Sequence, residues 1–482
     1  MSFVDKDLQS MQEARILVET ARDAHLLLRE YGQIELTNIV SGLIEEMSHE
    51  HKELIHQAVL ETGYGNERDE NDLFEKVTTQ IKQEWLTQNF IGVLKEESEN
   101  KWLEVGVPLG VVGIALPAEN IVLNALYATL ICLKSGNTLV MIPPYNALEI
   151  TKKVMKMISD VAERLGVPKG SINWLEHVST EGIEEIHQHP DIAIILNIGC
   201  GSYIDQFPVK NKPVIYGGTA STPVFIEKSA DIKKACQQIV ASRSYDNGLL
   251  PGAEQYVISE GVIAKKVKES FTEYGAYFMN EQEESSLVQH LSLSKQRHIS
   301  PYIGKSASWL AEKSGFHVPK GTKVLVSEQP YIFDENPYAA DLRLPILTFY
   351  LEPDWLRACE KCIELLQSQH NGHTLAIHSH NTQVIQEFAL KKPVGRMIVN
   401  GPASFTSLGL DSNLATTMIL GGLTTGRGVT AKNVTPKELT YTRQIGYGTN
   451  KWIESSEVST VSQLSTNSQE QFIQLLKKLL DQ

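Results

Sequence analysis

The chain has 482 residues, of which 21% are charged and 42% apolar, and a formal net charge of −14. That balance excludes a disordered or collagen-like chain, and the length supplies about two to four domains of ordinary size. The excess of acid excludes a general binder of nucleic acid or anionic membrane, which needs surplus Lys and Arg.

Residues 1–90 read as helices. Apolar residues recur at three- and four-residue spacing through Leu8, Met11, Ile16 and Leu17, and again through Leu54, Ile55 and Val59. The opening stretch is charged and amphipathic, unlike a secretory leader. His49, His51 and His56 do not share a helix face in a metal-binding spacing, so they are expected to be solvated helix histidines. From 90 to 115 the pattern turns strand-like, with a polar turn between two extended runs.

Strands and helices then alternate. GVVGIAL, NTLVMIP, DIAIILNIG and PVIYGG read as buried strands, with long amphipathic helices between the first of them. Strands joined by helices of this length imply parallel βαβ units and a doubly wound sheet. A second α/β section contains EQYVISE, TKVLVSE, PILTFYLE, HTLAIHS and RMIVNG as strands. The region 419–450 reads as glycine- and strand-rich, 455–469 as a Ser/Thr/Gln linker, and 470–482 as a short amphipathic helix. No apolar run approaches the roughly 20 residues needed to span a bilayer.

Five cysteines, at 132, 200, 236, 359 and 362, are too few and too irregular for a disulfide framework. They are expected to be reduced, in a cytoplasmic protein. Cys359 and Cys362 form CEKC within a helical pattern, which favours core packing over metal or redox work. No metal site is expected. The turn Gly199-Cys200-Gly201-Ser202 ends an apolar strand and can present N–H groups to a phosphate. Gly217-Gly218 is a similar strand-end turn, and ligands of open α/β sheets collect at such carboxyl ends.

The ordered series GVPLGVVGIALPAEN, LKSGNTLVMIPPYNA, GVPKGSINWLE, HPDIAIILNIGCGS, KPVIYGGTASTPVFIEKSADI, SYDNGLLPGAEQYVI, GHTLAIHSHN, IVNGPAS and NVTPKEL resembles the CoA-acylating aldehyde dehydrogenases. The likeness is greatest to the aldehyde dehydrogenase half of the bifunctional aldehyde-alcohol dehydrogenases. It covers roughly residues 10–450. The resemblance implies a Rossmann-like cofactor domain at 106–240, preceded by packing helices at 1–90. It further implies an α/β catalytic-type domain at 241–418 and a β oligomerisation arm from 91–105 and 419–450. The linker and terminal helix occupy 451–482.

The reaction so implied oxidises a small aldehyde with NAD or NADP and transfers the acyl group to CoA through a cysteine thioester. Asn120 falls at the oxyanion position. Gly199, Cys200, Gly201, Ser202, Gly218 and Asp341 fall at cofactor-binding positions, and His373 matches the Gly-His-Thr stretch. The nucleophile does not match. The frame reads Asp246-Asn247-Gly248-Leu249-Leu250-Pro251, with proline where the family has cysteine. Proline brings no nucleophile and removes a backbone N–H that would serve as the second oxyanion donor. Losing one such donor typically costs about 10²–10³ in rate.

Three readings stay open on the sequence. The first is an oxidoreductase with a relocated nucleophile such as Cys200. The second is a nucleotide- or CoA-binding pseudoenzyme, and the third is a structural partner of an active homologue. A homodimer or larger homo-oligomer is expected, because a strand arm is exposed unless paired. Co-assembly with a homologue or a protein shell through residues 470–482 is a further expectation. Neither nucleic acid nor membrane is expected as a partner.

Overall fold

Three capped helices begin the chain in the computed structural model. Residues 5–97, 102–199, 206–207, 209–217, 221–294, 301–332, 337–367, 372–448, 470–471 and 473–474 are described. Helix α1 (Lys6–Leu28) starts at Asp5, whose carboxylate accepts from the Asp7 N–H at 3.1 Å. Helix α2 (Gln33–Thr62) is closed by Gly63 at φ 67°, a left-handed position that glycine takes without steric cost. Helix α3 (Glu67–Trp85) is capped by the Asn66 side chain, which accepts from Asp69 N–H at 2.9 Å.

The buried face of α1 is not the apolar one read from its sequence. Ala14, Val18, Ala21 and Ala24 are buried, whereas Leu8 and Ile16 are 60% and 52% exposed. Small side chains let this helix lie close against Val111, Val140 and Ile183. His51 also departs from the expected solvated state. It is buried, with its ring stacked on Phe74 at 4.3 Å.

Two parallel sheets follow. The first has order β5-β4-β3-β6-β7, formed by β3 (Val111–Ala115), β4 (Thr138–Ile142), β5 (Ile172–Trp174), β6 (Ile192–Ile198) and β7 (Val214–Gly217). Its crossovers are α4 (Ile121–Lys134), α5 (Leu148–Arg164) and α6 (Thr180–Gln188). The second has seven strands in the order β10-β11-β12-β9-β8-β13-β14. These are β8 (Thr222–Ile226), β9 (Glu254–Glu260), β10 (Ala276–Phe278), β11 (Val324–Glu328), β12 (Ile346–Glu352), β13 (Thr374–His378) and β14 (Arg396–Val399). Its helices are α7 (Ile232–Ser244), α8 (Ala264–Glu273), α9 (Glu281–Ser294), α10 (Ala307–Lys313), α11 (Trp355–Gln367), α12 (Thr382–Lys391) and α13 (Ala403–Ser407).

The division between sheets falls before residue 240. Strand β8 pairs with β9 and β13, with Val224 opposite Val257 and Ala376, so the first sheet ends at β7. Continuous β/α alternation hides this switch, because a strand's sequence does not name its neighbour.

By contacts the chain forms two units, residues 1–92 with 107–441, and residues 93–106 with 442–482. The smaller unit is built around a three-stranded sheet of β1 (Gly92–Glu97), β2 (Trp102–Pro108) and β15 (Thr440–Gly446), in that order. Six of the seven residues of β15 are exposed. Residues 419–439 belong to the larger unit instead of the predicted arm. Ile419, Leu420, Val434 and Leu439 are buried there, and Tyr127 of α4 donates its hydroxyl to the Val434 carbonyl at 2.8 Å. Apart from residues 470–471 and 473–474, the predicted linker and terminal helix lie outside the described residues. No described helix is long and apolar enough to cross a membrane.

Every residue of α4 is buried, including Lys134 at its end. The Lys134 ammonium donates to the Trp85 carbonyl at 2.8 Å and to Thr37 Oγ1 at 2.5 Å. Burial pushes its pKa down to about 8. A folded pKa below the unfolded value means that the folded form sheds its proton first. The fold is therefore favoured as pH rises from about 8 towards about 10.4. The neutral amine keeps two N–H groups, enough for both bonds. Lys134→Met should remove this trend. Melting temperatures from about pH 7 to about pH 9.5 should show the parent gaining on the variant as pH rises.

Candidate active site

Asn120 ends the turn between β3 and α4. It sits at φ 48°, ψ 40°, a left-handed conformation that asparagine tolerates better than most residues. In that pose its side chain caps no helix N–H. Its Nδ2 instead donates to Asp246 Oδ2 at 2.7 Å, across 126 residues of sequence. The other Asp246 oxygen accepts from the Asn66 backbone N–H at 2.9 Å, and the Asp246 N–H donates to Asp69 Oδ2 at 2.8 Å.

Asp246 and Asn247 are themselves both left-handed, at φ 46° and 53°. Each such residue costs on the order of 1–3 kcal/mol and persists only where neighbours fix it. Asn247 Nδ2 donates to the Gly304 carbonyl at 2.8 Å, which supplies part of that fixing. Gly248 at φ 84° follows, where an added Cβ would lie 2.6 Å from the Leu344 carbonyl. The loop then runs through buried Leu249 and Leu250 to half-buried Pro251.

Pro251 lines a cavity of about 30 Å³ with Pro117, Glu119, Asn120, Asn124, Ile198, Gly199, Gly217, Leu249 and Met418. That volume holds one or two waters. The polar residues around it are already engaged. Asn124 Nδ2 donates to the Glu119 carbonyl at 2.8 Å, and the Glu119 carboxylate pairs with the Arg343 guanidinium.

The structure thus brings Asn120, Gly199 and Pro251 together. Cys200, Gly201, Ser202 and Gly218 lie outside the described residues. Asp341 and His373 do not line this cavity. Asp341 Oδ1 lies 3.1 Å from Ser221 Oγ, beside a buried hub at Gln255. The Gln255 Oε1 accepts from Arg243 Nη2 at 3.1 Å, from Ser221 Oγ at 2.9 Å and from Leu342 N–H at 3.2 Å. Burial pushes the Arg243 pKa down to about 10. His373 is buried at the head of β13, with Nδ1 2.6 Å from Thr374 Oγ1 and its carbonyl accepting from Arg396 Nη1 at 3.2 Å.

Sequence reasoning placed Asp246 in a frame around the missing nucleophile but missed its bond to Asn120. Burial is the main cause that pushes the Asp246 carboxyl upward, with Asp69 and Glu119 adding to it and the bonds from Asn66 and Asn120 opposing it. Buried Glu70, close by, is pushed upward by burial and by Asp246. A carboxyl whose folded pKa is raised favours the fold most below its unfolded pKa. That contribution is lost as pH rises through the folded value. Asp246→Asn removes the titration. Its melting temperature should gain on the parent's between about pH 5 and about pH 8. A constant difference across that range would contradict the assignment.

Residues 6–301 match the sequence profile of the aldehyde dehydrogenase family. The bifunctional aldehyde-alcohol dehydrogenase of Escherichia coli K12 is 28% identical over 435 residues, covering 89% of this chain and 49% of that protein. The chain thus spans about half the length of that relative. The succinate-semialdehyde dehydrogenase (acetylating) of Clostridium kluyveri is 26% identical, covering 89% of this chain and 95% of that one. The crystal structure of a probable aldehyde dehydrogenase from Listeria monocytogenes EGD-e superposes with a TM-score of 0.87 at 34% identity, covering 92% of this chain and 98% of that one.

Proposed function

The chain belongs to the aldehyde dehydrogenase family, and from that premise we propose that it is a member of the acylating type in which the thioester reaction has been lost. One observation carries the proposal. Pro251, which the motif order aligns with the family's cysteine, lines one cavity with Asn120 and Gly199. A proline ring has neither a thiol to attack a carbonyl nor an N–H to stabilise the resulting oxyanion. The surviving donor is compromised as well, since the Asn120 amide is directed to Asp246.

Nucleotide binding is a separate matter from chemistry. The carboxyl ends of β3, β6 and β7 offer the usual place for a dinucleotide in such a sheet. Gly199 turns there at φ 65°. NAD or NADP along the strand ends, and CoA, are the proposed ligands of a catalytically silent protein.

The exposed faces of β15 favour assembly as an accompanying role. Unpaired strand surface of this kind is usually covered by a second chain. A homodimer or larger homo-oligomer is proposed, with a cysteine-bearing homologue as the alternative partner.

Calorimetric titration of NAD, NADP and CoA, alongside NADH formation from acetaldehyde and CoA, tests the proposal. Measurable binding of at least one ligand is expected, with no turnover above the protein-free rate. Pro251→Cys restores both the thiol and the N–H, and should raise turnover by at least about tenfold. Turnover in the unmodified protein would overturn the loss of reaction. Absence of all binding would overturn the ligand assignment and leave the assembly role.

A further inference from the structure

Four of the cysteines lie among the described residues, and all four are buried. Three make no hydrogen-bonding contact with an amine nitrogen among the described residues, although Lys392 opposes the effect of burial at Cys362. Burial pushes the thiol of Cys132 upward, and those of Cys236 and Cys362 to about 12. Cys359 has a different neighbour. It sits in α11, and Lys392 immediately follows α12. The Lys392 Nζ lies 2.6 Å from Cys359 Sγ and 2.8 Å from the Cys359 carbonyl oxygen. Its third contact is the face of Phe388, with the ring centre 4.2 Å away.

Both partners are enclosed, Cys359 at 4% and Lys392 at 8% exposure. Among the described residues no carboxylate forms an ion pair with Lys392. The neighbouring acids are taken by other lysines, Glu387 by Lys391 and Glu352 by Lys361. The sulfur is therefore the one reactive atom in contact with Nζ among the described residues, and an oxidised sulfur held there meets an amine able to capture it.

We propose that Cys359 and Lys392 form an oxidation-responsive pair, in which a hydroperoxide oxidises Cys359 and Lys392 captures the product as a sulfur–nitrogen bond. In the first step the thiolate attacks one peroxide oxygen and the O–O bond breaks. The departing hydroxide takes a proton from the Lys392 ammonium and leaves as water. Cys359 is now a sulfenic acid, two electrons more oxidised, and Lys392 a neutral amine beside it. In the second step Nζ attacks the sulfur and expels hydroxide, which takes a proton from the nitrogen and leaves as a second water. Overall one thiol, one amine and one hydrogen peroxide become a sulfenamide and two waters. Two equivalents of an added thiol reverse it, yielding the free cysteine, the free lysine and a disulfide of the reductant.

The bond would join α11 to the end of α12. Both helices pack in the same core, where Cys359, Cys362, Leu365 and Leu366 meet Val384 and Phe388. The Pro251 cavity plays no part in this chemistry.

The test uses the full chain, reduced and then treated with hydrogen peroxide, followed by peptide mass mapping. A cross-linked pair of peptides carrying residues 359 and 392, lighter by two hydrogens and restored by dithiothreitol, is expected. Cys359 should be consumed at least about tenfold faster than Cys362, which lies in the same helix without the Nζ contact. In Lys392→Gln the link should vanish. Should that variant not fold, the comparison of Cys359 with Cys362 within the parent chain still decides. Equal rates at the two cysteines, a Cys359–Cys362 disulfide, or a sulfenic acid that persists in the parent without the link would each overturn the proposal.

Discussion

One buried carboxylate holds the candidate site in its present form. Asp246 accepts from the Asn66 backbone and from the Asn120 side chain, and its own N–H reaches Asp69. Those three bonds join the turn between α2 and α3, the turn between β3 and α4, and the loop that carries Pro251. The loop pays for this junction with two consecutive left-handed residues, Asp246 and Asn247. Such a conformation survives only where surrounding bonds over-determine it. The same junction turns the Asn120 amide towards the carboxylate. Site geometry and loop shape are therefore one constraint.

Fold and chemistry come apart along a clear line. The fold rests on two parallel sheets and on α4, buried along its whole length. None of that depends on the residue at 251. Exchanging a cysteine for a proline at a half-buried loop position removes a nucleophile and an N–H without touching the sheet ladders. A chain can thus retain a TM-score of 0.87 to a relative whatever residue stands at 251. The Lys392–Cys359 pair lies in a different core, so the chemistry proposed for it does not depend on residue 251.

Much of the fold was legible because parallel βαβ units write themselves as alternating apolar runs and amphipathic helices. Strands β3, β4, β6 and β7 fall where those runs fall. What pattern cannot express is pairing. Strand β8 looks like a continuation of the first sheet, yet its partners are β9 and β13. Residues 419–439 look like arm strands, yet their apolar residues close the core around Tyr127. On α1 half of the buried residues are alanines, which a search for large apolar residues overlooks. Motif order groups Asn120, Gly199 and Pro251, and the three line one cavity. The Asn120–Asp246 bond was not legible, since it joins residues 126 apart through a contact that no local spacing encodes.

The central claim is that no acyl-enzyme forms on this chain. The most direct measurement is the intact mass of the 482-residue chain after incubation with acetyl-CoA, which runs the acyl transfer towards the enzyme. The account predicts an unchanged mass. A single acetyl adduct on a cysteine, with Cys200 the first position to map, would contradict it.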